Sequence, residues 1–270
     1  MKTYYDHDGI TVYHGDAREV LPTLGPGTID LIVTDPPYGC NNNNGDLRGN
    51  AKGNSKMKAM QGSQVLGIAQ DGPEEADALA TLLFSEAKRL LVPGRACCCF
   101  CGGGGPIPRF ARWTLLMEKV LGFKMCVIWE KTGTPGIGWH YRRCWECILV
   151  SKSDKWNGGL TTRNVIHYPK PTYDNIMHPN EKPEGVIGFF IRNHSDPGDL
   201  ILDPFAGSLT TAVVARKLGR RCIAIELEER WIEIGIKRLQ QTQLPYEAVD
   251  GGITQCDFGY NSERVEKEMI

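Results

Sequence analysis

Apolar positions along the chain fall into short, nearly solid runs separated by amphipathic stretches, the pattern of strands buried on both faces alternating with helices. The runs at 10–14, 29–34, 95–100, 124–130, 144–151, 200–203 and 221–226 have strand length and β-branched content, so seven strands are predicted. Helical periodicity fills most of the gaps, at 74–91, 107–121, 183–194, 212–218 and 230–239. No helical pattern separates 124–130 from 144–151, and these two runs are expected to pair as a hairpin. The predicted architecture is α/β: a doubly wound, mostly parallel sheet with one antiparallel hairpin. Such sheets bind ligands beyond the carboxyl ends of their strands, where the winding reverses. Chemistry is therefore sought at strand ends.

One strand end carries Asp35-Pro36-Pro37-Tyr38, directly after the run at 29–34. Two successive prolines fix φ and remove two backbone donors, which leaves a rigid turn with carbonyls able to accept from a ligand. An acidic acceptor, a fixed carbonyl and an aromatic ring converge there. That set suits an exocyclic amine on a nucleobase, whose lone pair is delocalised into the ring until acceptors hold its hydrogens. Tyr38 can stack on a base swung out of a duplex, at about 1–3 kcal/mol per base against the few kcal/mol that extrusion costs. The same four residues also suit an ordinary turn capping a strand.

A second motif bears on that choice. The run 200–202 leads into Asp203-Pro204-Phe205-Ala206-Gly207-Ser208-Leu209-Thr210-Thr211, then a helix, then a short apolar strand that ends in Glu226. An acid at the tip of the second strand of a βαβ unit is placed to accept both ribose hydroxyls of a nucleoside.

Together these segments resemble the amino-group DNA methyltransferases, in the permuted beta-type subgroup where the Asp-Pro-Pro-Tyr turn precedes the cofactor turn. His178-Pro179-Asn180-Glu181-Lys182-Pro183, His14-Gly15-Asp16 and Trp129-Glu130-Lys131 fit the same small bacterial and phage type, and the match spans residues 8–239. The resemblance implies a Rossmann-like, circularly permuted methyltransferase fold and S-adenosylmethionine as cofactor. It implies methyl transfer to adenine N6, since Asp rather than Ser opens the tetrapeptide, with N4-cytosine as the alternative. An RNA or protein amine methyltransferase, or a catalytically weak DNA-binding relative, remains open as a different class. By the same resemblance Asp35, Pro36, Pro37 and Tyr38 are catalytic and Glu226 takes the ribose. Asp16 lies near the adenine of the cofactor, and Lys182, Asp203, Ser208 and Thr210 lie toward its methionine end, with Pro204, Phe205, Ala206 and Gly207 forming the turn. Relatives usually carry glycine at the position of Leu209. A positive φ would cost leucine about a kcal/mol or more, and a helical first turn, which tolerates it, is expected.

Composition narrows the picture further. A chain of 270 residues suits one sizeable domain. Residues 1–244 are read as a single catalytic domain and 245–270 as an acidic tail. No stretch is long and apolar enough to span a membrane, and the first residues lack the apolar core of a signal peptide, so a cytoplasmic protein is expected. The ten cysteines include Cys97-Cys98-Cys99 and Cys101, with Cys144 and Cys147 downstream. Strand geometry turns residues three apart to opposite faces, so no metal is expected there. No Pro-Cys pair occurs, which disfavours C5-cytosine methyltransferases.

Net charge is −1, so affinity for phosphates has to be local. Double-stranded DNA is the implied partner, and the resemblance leaves room for a homodimer. The segment 40–64 carries Arg48, Lys52, Lys56 and Lys58 against Asp46 alone; it reads as a loop that orders on a phosphate backbone, or as a solvated loop. The segment 132–143 holds His140, Tyr141, Arg142 and Arg143, suited either to the extruded base or to a self-packed hairpin tip. The segment 152–171, with Lys155, Trp156, Arg163, His167 and Lys170, stands where a target-recognition segment is expected.

Overall fold

The structure, a computed structural model, describes residues 2–39, 72–102, 108–132, 144–169 and 181–241. The strands are β1 (Tyr5–His7), β2 (Ile10–His14), β3 (Ile29–Thr34), β4 (Leu91–Cys101), β5 (Phe123–Thr132), β6 (Trp145–Ser151), β7 (Val165–Pro169), β8 (Leu200–Asp203) and β9 (Arg221–Glu226). The helices are α1 (Ala17–Val20), α2 (Pro73–Leu90), α3 (Arg109–Val120), α4 (Glu184–His194), α5 (Thr210–Lys217) and α6 (Glu229–Gln241). Among the described residues the strands make one nine-stranded sheet in the order β1-β2-β9-β8-β3-β4-β6-β5-β7. The expected count of seven is thus corrected to nine. The two strands missed are β1, three residues with only Tyr5 half-buried, and β7, which ends in Pro169 at the sheet's far edge.

The expected hairpin is present. β5 pairs antiparallel with β6, which also runs antiparallel to β4, whereas β2, β9, β8, β3 and β4 are mutually parallel. Alternation along β4 distributes its side chains to both faces. Cys98 and Phe100 join α4, α5 and α6 in one core, and Cys97, Cys99 and Cys101 join α1, α2 and α3 in the other. These thiols act as small apolar groups. Burial pushes Cys97 up to about 12 and raises Cys98 and Cys99 well above the ordinary thiol range. Among the described residues no cluster of three or more His, Cys, Asp or Glu has metal-binding geometry, and no helix is long and apolar enough to cross a membrane.

From β3 the chain winds through α2 to β4 on one side, and from β8 through α5 to β9 on the other. The winding therefore reverses where β3 and β8 lie side by side, with Leu31 opposite Ile201 and Ile32 opposite Leu202. Asp35 leaves the carboxyl end of one strand and Asp203 closes the other, so both flank the switch point.

Candidate active site

The Asp35 turn and the Asp203 turn are tied together directly. Thr34 Oγ1 donates to Asp203 Oδ1 at 2.8 Å, Thr211 Oγ1 donates to Oδ2 at 2.6 Å, and the Phe205 amide donates to Oδ1 at 3.1 Å. Asp203 is buried, and desolvation pushes its carboxyl up to about 6 despite these donors. Its oxygens are engaged by the protein, so it fastens the crevice from beneath.

Glu226, at the tip of β9, accepts the Gly207 amide on Oε2 at 2.8 Å and the Glu228 amide on Oε1 at 2.9 Å. Burial raises its carboxyl above the ordinary range. Two backbone donors leave about half of a carboxylate's acceptor capacity for hydroxyls. Gly207 itself has φ 50°, a left-handed conformation that glycine adopts without strain. One strand over, His14 lies opposite Glu226 and the Gly15 amide donates to the Glu226 carbonyl at 3.0 Å, which sets Asp16 beside it. Asp16 caps α1 by accepting the Arg18 amide at 2.8 Å and ion-pairs with the Arg18 guanidinium at 2.6 Å. Ser208 and Thr210 face Arg238 of α6, whose Nη1 lies 3.1 Å from Ser208 Oγ and 2.9 Å from Thr210 Oγ1. Arg238 also pairs with Glu181 at 3.1 Å, linking this turn to the segment that carries Lys182.

One expectation at this end is corrected. Leu209 has φ 60° and ψ 30° at the N-cap of α5, so its backbone is left-handed and not a helical first turn. Its side chain is fully buried in the core against Gly235, where an added Cβ would stand 2.3 Å from Leu209 Cγ. Leucine is held there because the core fills around it and α6 presents no side chain. Lys182 reaches the Asp35 turn. Its ammonium lies 2.5 Å from Asp35 Oδ2 and 3.3 Å from Glu146 Oε2, and stands 5.3 Å from the Phe100 ring centre and 5.6 Å from that of Tyr38.

Around Asp35 the charges are therefore chained. Tyr38 donates its hydroxyl to Asp35 Oδ1, and Lys131 Nζ lies 2.5 Å from Glu146 Oε1. Desolvation raises the Asp35 carboxyl, against the attraction of Lys182. Burial alone would lower the Lys182 ammonium, but Asp35 and Glu146 together hold it above its usual range. Tyr38 packs edge-on to Trp113, ring centres 6.3 Å apart, and Gly102 gives it room: a Cβ there would lie 3.1 Å from the Tyr38 ring. Pro36 is buried behind the turn. Glu146 was not singled out as a site residue from sequence, although Lys131 and Glu146 end the hairpin strands β5 and β6 on matching sides. An opposite-charge pair at the end of two otherwise apolar strands was the available signal.

The remaining candidates are not gathered here. Arg48, Lys52, Lys56, Lys58, His140, Tyr141, Arg142, Arg143, Lys170, residues 178–180 and the tail 245–270 lie outside the described residues. Lys155 pairs with Asp196, and its amide bonds to the Gly94 carbonyl at 3.3 Å; Trp156 stacks edge-on to His194 at 5.2 Å. Gly94 and Asp196 sit near the amino ends of β4 and β8, opposite the crevice, so Lys155 and Trp156 are remote from the Asp35 turn. His167 stands on β7, 3.1 Å from Glu130.

Residues 29–177 and 156–237 match the model of the N6/N4 DNA methylase family. The chain belongs to that family. It is 28% identical over 273 residues to the type II methyltransferase M2.DpnII of Streptococcus pneumoniae, covering 88% of this chain and 92% of that protein. It is 25% identical over 264 residues to the DNA adenine methyltransferase YhdJ of Escherichia coli (strain K12), covering 88% and 85%. Among solved structures, the fold resembles that of the M1.HpyAVI–SAM complex, with a TM-score of 0.59, 21% identity and coverage of 85% and 99%. It also resembles the cytosine-N4-specific PvuII DNA methyltransferase, with a TM-score of 0.66, 19% identity and coverage of 98% and 93%.

Proposed function

We propose that this methylase is a site-specific DNA methyltransferase that moves the methyl group of S-adenosylmethionine to the N6 amine of an adenine turned out of the duplex. The observation that carries the reading is the Thr34–Asp203 bond, which holds the Asp35 turn against the Asp203 turn. Support for the cofactor comes from Glu226, which keeps acceptor capacity for two ribose hydroxyls, with Asp16 one strand over as the candidate for the purine. Glu226 and Asp16 would hold S-adenosylmethionine, which when bound would supply an electrophilic methyl carbon for the amine lone pair and a sulfonium leaving group able to keep the electron pair of the carbon–sulfur bond.

The chain supplies position and charge. Asp35 and the Pro36 carbonyl accept the hydrogens of the amine and favour a pyramidal nitrogen. Tyr38 packs on the base. The proton that leaves nitrogen passes to Asp35, whose affinity for it is raised by burial, and from there to water. The chain order, with the Asp35 turn preceding the Asp203 turn, supports the circularly permuted, beta-type arrangement. Asp at the head of the tetrapeptide, and a relative named as a DNA adenine methyltransferase, support adenine over cytosine.

Sequencing of modified bases in DNA from cells expressing the protein tests base and site together: N6-methyladenine in a fixed context is expected, and N4-methylcytosine or unmodified DNA overturns the assignment. Asp35→Ala should abolish transfer while cofactor binding by calorimetry stays within about threefold.

A further inference from the structure

The charges at Asp35 are arranged so that one of them has a second seat. Each Asp35 oxygen already accepts one donor, Oδ1 the Tyr38 hydroxyl and Oδ2 the Lys182 ammonium at 2.5 Å. An incoming amine shares the remaining acceptor capacity with that ammonium. On the far side of Lys182, Glu146 Oε2 is buried and has no hydrogen-bond partner, although the ammonium stands only 3.3 Å away. A buried carboxylate oxygen left without a hydrogen bond costs free energy and asks for a reason. Its companion oxygen is already fixed by Lys131 at 2.5 Å, so Glu146 cannot turn away freely.

Resting on the reading of Asp35 as acceptor of the target amine, we infer that Glu146 is a positioning residue that draws the Lys182 ammonium, which it already pairs with, further toward itself as the amine engages Asp35. The move is small: closing 3.3 Å to an ordinary hydrogen bond needs about half an ångström, which relaxes the 2.5 Å contact with Asp35 Oδ2 without breaking it. It is confined: Lys182 is 9% exposed, and the Phe100 and Tyr38 rings wall its path. It also conserves charge. Lys131, Glu146, Lys182 and Asp35 sum to zero before and after, so no buried charge is left without a counterpart, as it would be if Lys182 had nowhere to go. The raised affinity of Lys182 for its proton keeps it cationic through the neutral range.

The test compares Glu146→Gln with wild type on a duplex carrying the site found by sequencing. Glutamine keeps shape and an acceptor oxygen but not the charge. Single-turnover methylation is expected to slow at least tenfold, with S-adenosylmethionine affinity by calorimetry within about threefold. The same duplex with 2-aminopurine at the target has hydrogen where adenine has its 6-amine, so no amine competes for Asp35. Its fluorescence gain on extrusion should be unchanged. A methylation rate within twofold of wild type overturns the inference, and so does a fluorescence gain lost in parallel with the rate, which would mark a structural role. If Glu146→Gln loses cofactor binding, Glu146→Asp replaces it, keeping the charge one carbon further from Lys182; a full rate there equally overturns the inference. Asp35→Ala in the same assay separates the two readings. Methylation by that variant defeats the role of Asp35 itself, whereas a dead Asp35→Ala beside a full-speed Glu146→Gln defeats only the role of Glu146.

Discussion

Thr34 donates its hydroxyl to Asp203 at 2.8 Å across 169 positions of sequence. That bond joins the strand that leads into Asp35 to the strand that opens the β8-α5-β9 unit. Because Thr211 and the Phe205 amide bond the same carboxylate, its oxygens are committed to holding the crevice together.

Asp203 should therefore govern how stability varies with pH. Its carboxyl, buried, sits at about 6 against an ordinary 3.8. A raised acid stabilises the fold fully below its unfolded value, and that contribution is lost as pH rises through the folded value, here between about pH 4 and pH 6. The shift corresponds to about 2–3 kcal/mol. Asp203→Asn, which keeps an acceptor for Thr34, should lose this dependence. Urea unfolding from about pH 4 to pH 7.5 should show the variant gaining on wild type by that order; parallel curves for the two proteins would rule the account out.

Leu209 and Gly235 should be coupled. A left-handed leucine costs about 1 kcal/mol or more, but emptying a buried leucine site costs about 2–5 kcal/mol, so Leu209→Gly is expected to destabilise the protein. Gly235→Ala would put a Cβ 2.3 Å from Leu209 Cγ and 2.6 Å from Leu209 Cβ. It should cost several kcal/mol in wild type and much less in the Leu209→Gly background. Since the leucine side chain lies in the core, Leu209→Gly should leave cofactor affinity within about threefold, a point calorimetry decides.

Glu226 should set the pH dependence of cofactor binding. Its carboxyl is raised by burial, so it protonates at a higher pH than an ordinary glutamate and affinity should fall as pH drops and the carboxylate is lost. Glu226→Gln retains one acceptor oxygen and no charge. Losing about 1.4 kcal/mol from a charge-assisted bond predicts roughly tenfold weaker binding that no longer changes with pH. An equally steep pH dependence in the variant would place the titrating group elsewhere.

Much of the site was legible because strand ends are marked in one dimension. The apolar runs ending at Thr34, Asp203 and Glu226 located the carboxyl ends of β3, β8 and β9, and the doubly wound rule set Asp35 and Asp203 at one switch point. Strand β1 escaped notice because an edge strand of three mostly exposed residues has no apolar run, and β7 because it ends in proline. The backbone of Leu209 was misread for a different reason: its left-handed φ is stabilised by a gap on α6 that faces it only after packing.

Local pattern by itself determined the alternating elements, the sheet class and which acids stand at strand ends, since these depend on neighbours a few residues away. Tertiary structure alone decided that Lys182 reaches Asp35, 147 residues off, and that Glu146 waits behind it. A charged side chain carries no sequence mark of its partner. The pairing follows from β6 being inserted between β4 and β5, which sets Glu146 beside a lysine arriving from the segment before α4.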